Sequence, residues 1–373
     1  MPLTDFLPPE EIEEKFRKRF GRRAELFLWL GVGLIGLVVA IYFSGLGGPR
    51  GKEVFADGRV SAAELAALRQ KHPGLTLQPG MVDLWRPLLA AGQGNLLAPR
   101  WWRLARFNPS GRARALGEGI TTAVTVGDPL EWVLTFGRSI AGGRLAGPRV
   151  VPAIVLAHPR RLLAWEEGAA RAVADPGQAG AVVRETIGQG ARMVVVDIRE
   201  EPRPAGSVVS AACTAARGLK RPCAVLVPAG RADTTALEQA VQARADFIVG
   251  LPADVLPDWL VERLATSKAV VAPGIGLALP ALRPPVAANA YRAHRAGVKL
   301  ALASGGESMP AEVGALLRTG MPAADLATMN EEAARALGLE PGGAVVGRPA
   351  DIVGLDPEGR PGLVVAAGRQ VVP

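Results

Sequence analysis

From residue 81 onward this chain is a succession of eight short apolar runs, each followed by a helical pattern or a connection of helix length. The runs fall at 81–84, 120–126, 150–156, 193–198, 223–227, 247–249, 269–272 and 299–303. Runs such as Met193-Val194-Val195-Val196 have no polar alternation, so as strands they must be buried on both faces, the condition of a parallel sheet covered by helices. Eight successive βα units close naturally into a (β/α)8 barrel of about 250 residues. Residues 81–339 supply that length. An open doubly wound sheet is the alternative, weakened because no Gly-x-Gly-x-x-Gly follows any run.

The two ends of this region read differently. Asn330 to Leu339 has the pattern of a helix ending at Gly338, and strand-like runs follow within 342–356, 363–366 and 370–372. Residues 52–80 are short mixed segments able to add strands. Segments 52–80 and 340–373 are therefore expected to form one small accessory β-sheet from both chain ends.

Before residue 52 the chain is of another kind. Residues 26–44, LFLWLGVGLIGLVVAIYFS, are nineteen residues without a charge. As a helix they rise roughly 28 Å, close to the hydrocarbon thickness of a bilayer. Trp29 and Tyr42 lie near the two ends, where amphipathic rings favour the interface. Lys15, Arg17, Lys18, Arg19, Arg22 and Arg23 precede the span, against Arg50, Lys52 and Arg59 after it. The expectation is a cytoplasmic stub (1–25), a single transmembrane helix (26–44), a Gly/Pro linker (45–51) and an extracytoplasmic barrel, with the inner membrane as its location. A cleaved signal peptide fits less well, since its apolar region is about 7–15 residues and no clear Ala-x-Ala follows.

Hydrophobic residues make up 49% of the chain, which excludes general disorder. The net charge of +8 comes from scattered arginines, and no basic run is interleaved with aromatics, so no nucleic-acid partner is expected. Cys213 and Cys223 read as small buried apolar residues; their spacing gives no specific support for a disulfide.

The first apolar run sits in Pro79-Gly80-Met81-Val82-Asp83-Leu84-Trp85-Arg86-Pro87. Gly119-Ile120-Thr121-Thr122, Gly147-Pro148-Arg149-Val150, Gly297 to Ser304, and the tail motif Gly347-Arg348-Pro349-Ala350-Asp351-Ile352-Val353-Gly354-Leu355-Asp356 accompany it. Together these resemble the amidohydrolase superfamily, its imidazolonepropionase-like group in particular, over roughly residues 52–373. The resemblance implies a TIM-like barrel and, in the family, hydrolysis assisted by Zn or another divalent metal. Here the family's ligand positions fall on Trp85, Pro87, Val195, Leu226 (or Pro228), Gly250 and Gly305. None of these side chains offers a lone pair to a metal. No cofactor is therefore expected, and His72, His158 and His294, the only histidines, cannot converge in the family's way.

The remaining candidates for chemistry are sparse. Asp83 and Asp197 lie near strand ends, with Asp128, Asp254 and Glu307 in loops at the same face; carboxylates alone could hold Mg²⁺ or Ca²⁺, but no Ca²⁺-loop spacing is present. His158 could serve as a lone general base, or simply as a positioned structural residue. Ser304 lacks a nucleophile elbow, and Gly274-Ile275-Gly276 and Gly305-Gly306 read as tight turns before they read as anion cradles. Trp85, Trp101, Trp102, Trp132 and Trp165 stand out in a chain with two tyrosines. Trp85 would fill the barrel mouth, and the Trp101/Trp102 loop with Arg100, Arg103 and Arg106 is a candidate contact for a protein partner. The expectation is a membrane-anchored pseudoenzyme with a binding or scaffolding role; the alternative is a hydrolase of cyclic-amide C–N bonds with a non-standard site.

Overall fold

The computed structural model describes residues 51–88, 110–165 and 167–372, with Gly33 besides. The chain divides into two units, Met1–Gly48 and Pro49–Pro373. Of the first, Gly33 alone is described, as an exposed helical residue. Among the described residues no helix is long and apolar enough to cross a membrane. The span expected at 26–44 lies outside them apart from Gly33, as does the loop carrying Trp101 and Trp102.

The second unit opens with strand β1 (Lys52–Glu53), a helix over Ala62–Lys71 and strand β2 (Thr76–Pro79). The helix was not expected, although its start is written in the sequence. The Ser61 hydroxyl oxygen accepts from the Glu64 N–H at 3.3 Å while its O–H donates to the Glu64 carboxylate, a reciprocal cap. After one glycine the chain enters the main sheet. Gly80 is required there, because a Cβ would lie 2.2 Å from Thr121 Oγ1.

Each of the eight apolar runs forms a strand. These are β3 (Met81–Asp83), β4 (Ile120–Thr125), β5 (Arg149–Ala157), β7 (Met193–Asp197), β8 (Cys223–Leu226), β9 (Phe247–Val249), β10 (Val270–Ala272) and β11 (Lys299–Leu300). A ninth strand, β6 (Ala170–Ala172), pairs with β5 beside the main path. The order β11-β10-β9-β8-β7-β5-β4-β3 is parallel throughout and follows the sequence, as repeated βα units require. The sheet curls until its ends meet. Asp83 bridges Leu302, and the Leu84 N–H donates to Leu302 O at 2.9 Å, a geometry that fits a TIM-like barrel.

Side chains alternate strictly across this sheet. Val82, Leu84, Val124, Val151, Ala153, Val155, Met193, Val195, Ala224, Leu226, Phe247, Val249, Val270, Ala272, Ala301 and Ala303 share one buried cluster. Their neighbours Ile154, Leu156, Val194, Val196, Val225, Ile248, Val271, Leu300 and Leu302 belong to another, with the helices. The inner cluster mixes bulky Phe247 and Met193 with alanines and fills the interior, so the barrel is a packed core and not a pore.

The tail supplies β12 (Ile352–Leu355), β13 (Pro361–Ala366) and β14 (Arg369–Val372). With strands from the other chain end they form an antiparallel sheet of order β1-β14-β13-β12-β2 over a small core of Phe55, Leu65, Leu68, Ile352 and Leu363. The helix expected over 330–339 belongs to a longer one, Ala323–Ala336. The cysteine reading is corrected. Cys213, on the helix Gly206–Gly218, and Cys223, opening β8, are joined in a disulfide at a Cα–Cα distance of 5.1 Å. Packing of that helix onto β8 creates this proximity, which spacing alone could not reveal.

Candidate functional site

Parallel strands deliver their C-terminal ends to one face, and in a barrel that face is the mouth. Here β3 delivers Asp83, Trp85 and Arg86, β7 delivers Asp197 and Arg199, and the turn after β5 delivers His158 and Trp165. The indole rings of Trp85 and Trp165 lie 6.2 Å apart at 29°. The guanidinium carbon of Arg199 stands 4.6 Å from the Trp85 ring centroid and 5.1 Å from that of Trp165, within cation–π range of both. Asp197 clamps the same guanidinium in bidentate fashion, through Nε at 2.8 Å and Nη2 at 3.0 Å, and also accepts from Trp165 Nε1 at 3.2 Å. A permanent cation, one carboxylate and two indoles thus close the mouth, with Leu162 and Leu277 packed beside them on the inner core.

Asp83 has a different task. It is wholly buried, and its Oδ1 accepts from the backbone N–H of Trp85 and of Ser304, each at 3.0 Å, while its Oδ2 accepts from Ser304 Oγ. It therefore ties β3 to the chain leaving β11. Arg86, equally inaccessible, donates from Nη1 to Glu118 at 3.0 Å, to Ser304 Oγ at 3.3 Å and to Glu307 O at 2.8 Å. Ser304 is consumed by this network. His158 caps the short helix Pro159–Ala164, its Nδ1 accepting from the Arg160 N–H at 3.2 Å. Asp128 accepts from the Leu88 N–H at 2.6 Å, and Asp254 and Glu307 are exposed. Among the described residues no three His, Cys, Asp or Glu side chains gather in a way that could hold a metal.

The family's ligand positions fare no better as donors. Val195 and Leu226 are buried inside the barrel core. Gly250 has φ +111°, and a Cβ there would lie 2.3 Å from Val227 O. Gly305 has φ +64°, with its Cβ position 2.0 Å from Leu277 Cδ2. Two ligand positions are thus closed to any side chain without rearrangement, and the residues present do not fit a catalytic divalent metal.

Sequence reasoning singled out Asp83, Trp85 and Asp197, and named Trp165 without a role. It missed Arg199. An arginine two residues past a strand resembles every other arginine here, and only the fold brings it against two indoles.

Two buried acids give the site a pH signature. Burial raises Asp83 to about 6 against the lowering effect of its Ser304 and backbone hydrogen bonds. Burial likewise raises Glu312 to about 7; its Oε2 accepts from the Gly276 N–H at 2.9 Å, and its Oε1 is buried with no partner. With raised values the folded chain keeps protons that the unfolded chain loses between about pH 4 and 7, so stability falls as pH rises through that window. The acids with lowered values, Asp233, Glu331, Glu340 and Asp356, act below it. The unfolding free energy from urea titration is expected to be higher at pH 5.5 than at pH 8, by on the order of 2 kcal/mol and with a correspondingly higher midpoint, and Glu312→Gln should flatten much of the slope. A midpoint that climbs from pH 5.5 to 8 would contradict this.

A scan against protein-family models and a search of curated proteins both find no match. Solved structures do match. An amidohydrolase aligns at 19% identity with TM-score 0.65, covering 80% of this chain and 87% of its own. A Xaa-Pro dipeptidase with bound methionine in its active site aligns at 19% identity and TM-score 0.64, over 80% and 87%. The ochratoxinase of A. niger aligns at 17% identity and TM-score 0.64, over 80% and 83%. The chain shares its fold with these hydrolases.

Proposed function

We propose that this chain is a membrane-anchored member of the amidohydrolase superfamily whose barrel has passed from metal-assisted hydrolysis to binding. The observation that carries the reading is the filled mouth. A guanidinium, held by Asp197 and packed against both Trp85 and Trp165, stands at the end of the barrel where the family assembles its catalytic centre. Arginine keeps its charge at any physiological pH, so this cation needs no metal and cannot itself act as a general base. The fold likeness to an amidohydrolase and a dipeptidase, added to the sequence motifs, supports descent from the superfamily. The uncharged run over 26–44 supports the anchor. The Cys213–Cys223 disulfide supports an extracytoplasmic barrel, because such bonds persist in oxidising compartments.

One preparation tests both halves. The full-length protein should resist alkaline carbonate, leave the membrane only with detergent, and then carry Zn, Mn and Fe well below one atom per chain. About one tightly bound metal per chain overturns the reading of the mouth. Release by carbonate overturns the anchor.

A further inference from the structure

A second concavity lies at the opposite, N-terminal ends of the strands. It encloses about 280 Å³ and is lined by Arg192 ahead of β7, by Arg217, Lys220 and Arg221 ahead of β8, by Asp246 ahead of β9, and by Arg335. That volume sits just below the range of small-ligand pockets, about 300–1,000 Å³. Five cations face a single carboxylate, and that carboxylate is engaged: Asp246 Oδ2 accepts from the Cys223 N–H at 2.9 Å. Arg335 is committed to Glu331 and Glu332. Among the described residues no acid pairs with Arg192, Arg217, Lys220 or Arg221.

Cations near a helix C-terminus often only offset its dipole, and Arg217, in the last turn of Gly206–Gly218, has that excuse. Arg221 lies at the same terminus, its backbone N–H donating to Ala216 O at 3.0 Å, whereas Arg192, ahead of β7, does not. The loop ends the helix in the common left-handed way, with Lys220 at φ +55° and its N–H donating to Arg217 O at 2.9 Å. The disulfide closes this same loop, from Cys213 to Cys223, so Arg217, Lys220 and Arg221 all lie inside the ring. A cross-linked loop that gathers cations without acidic partners around a cleft favours an anion; Arg217 also donates to Arg244 O.

We infer that this cleft binds a phosphate group carrying two or more negative charges, on a small soluble ligand or on a lipid headgroup. Guanidinium forks match phosphate oxygens in bidentate fashion, and the exposed Arg192, Arg217 and Lys220 stand at the cleft without acidic partners. The inference is independent of how the mouth is read, since the two lie at opposite ends of the strands.

The test is calorimetric titration of the full-length protein, in a neutral detergent, with inorganic diphosphate and separately with short-chain phosphatidic acid, whose phosphomonoester can carry two charges, below its micellar concentration. Saturable binding of either supports the inference, and which of the two binds identifies the source of the phosphate. The double variant Arg192→Gln/Lys220→Gln alters two exposed side chains and should leave the thermal midpoint unchanged while weakening binding at least tenfold. Arg335→Gln, whose charge is already spent on two glutamates, should weaken it less than threefold. Reduction of the disulfide should weaken it several-fold by releasing the loop. No saturable binding of either probe, or equal losses in Arg335→Gln and the double variant, overturns the inference.

Discussion

Asp83→Ala is expected to destabilise the folded chain by about 3–5 kcal/mol. The carboxylate is wholly buried and receives three donors, the Trp85 N–H, the Ser304 N–H and the Ser304 hydroxyl. Alanine leaves all three without an acceptor in a place water does not reach, and each orphaned donor costs about 1–3 kcal/mol before relaxation. The position matters as much as the count. β3 and the chain after β11 are the two ends of the curled sheet, joined otherwise by the Asp83–Leu302 bridge and by backbone bonds such as Gly305 N–H to Trp85 O at 3.0 Å. Loss of the tie opens the seam. Asp83→Asn keeps one acceptor oxygen for the two backbone donors and should cost less, about 1–2 kcal/mol. Urea unfolding followed by tryptophan fluorescence measures both. A loss below about 1 kcal/mol for the alanine variant would show that Asp83 is not the tie described.

The seam illustrates what could and could not be read beforehand. The eight strands were legible because a parallel strand buried on both faces must be apolar without interruption, and runs such as Val194-Val195-Val196 have no other soluble explanation. The strand β6 was not, since Ala170-Arg171-Ala172 is too short to show any period. The helix Ala62–Lys71 carried a visible start signal in Ser61 and Glu64, but its sides are weakly amphipathic, with Leu65 and Leu68 its only buried residues. Of the site, the sequence marked Asp83, Trp85 and Asp197 by their places near strand ends, but not their partners. That Trp85, Gly250 and Gly305 cannot be ligands follows from their chemistry alone. That Arg199 meets Trp85 and Trp165, that Ser304 belongs to Asp83 across 221 positions, and that Cys213 meets Cys223 all depend on which elements pack together. Pairings of this kind carry no local pattern, so no reading of periodicity reaches them.

Gly250 gives the second large effect, and it bears on the proposal that the barrel no longer holds a metal. Gly250→His would place a histidine where the resemblance puts a ligand of the sixth strand, and it is expected to cost at least about 3 kcal/mol without gaining metal. Two penalties combine. At φ +111° the backbone lies where side chains are rarely tolerated, which costs about 1–3 kcal/mol. The new Cβ would also sit 2.3 Å from Val227 O, a backbone atom. Val227 cannot retreat easily, for its own N–H donates to Val249 O at 2.8 Å while the Gly250 N–H donates to Ala272 O at 2.8 Å. Forcing that backbone apart adds about 1–3 kcal/mol. Gly250→Ala isolates the steric part and should cost nearly as much as histidine. Gly305→Ala provides the contrast, because its clash is with the end of the Leu277 side chain, which can rotate, and its φ of +64° lies in the left-handed region that other residues sometimes enter. It should cost about 1–2 kcal/mol. The expected order of urea midpoints is wild type, then Gly305→Ala, then Gly250→Ala and Gly250→His together at the bottom. If Gly250→Ala unfolds within about 0.5 kcal/mol of wild type, or if Gly250→His binds a metal, the barrel has room at this position for a ligand side chain.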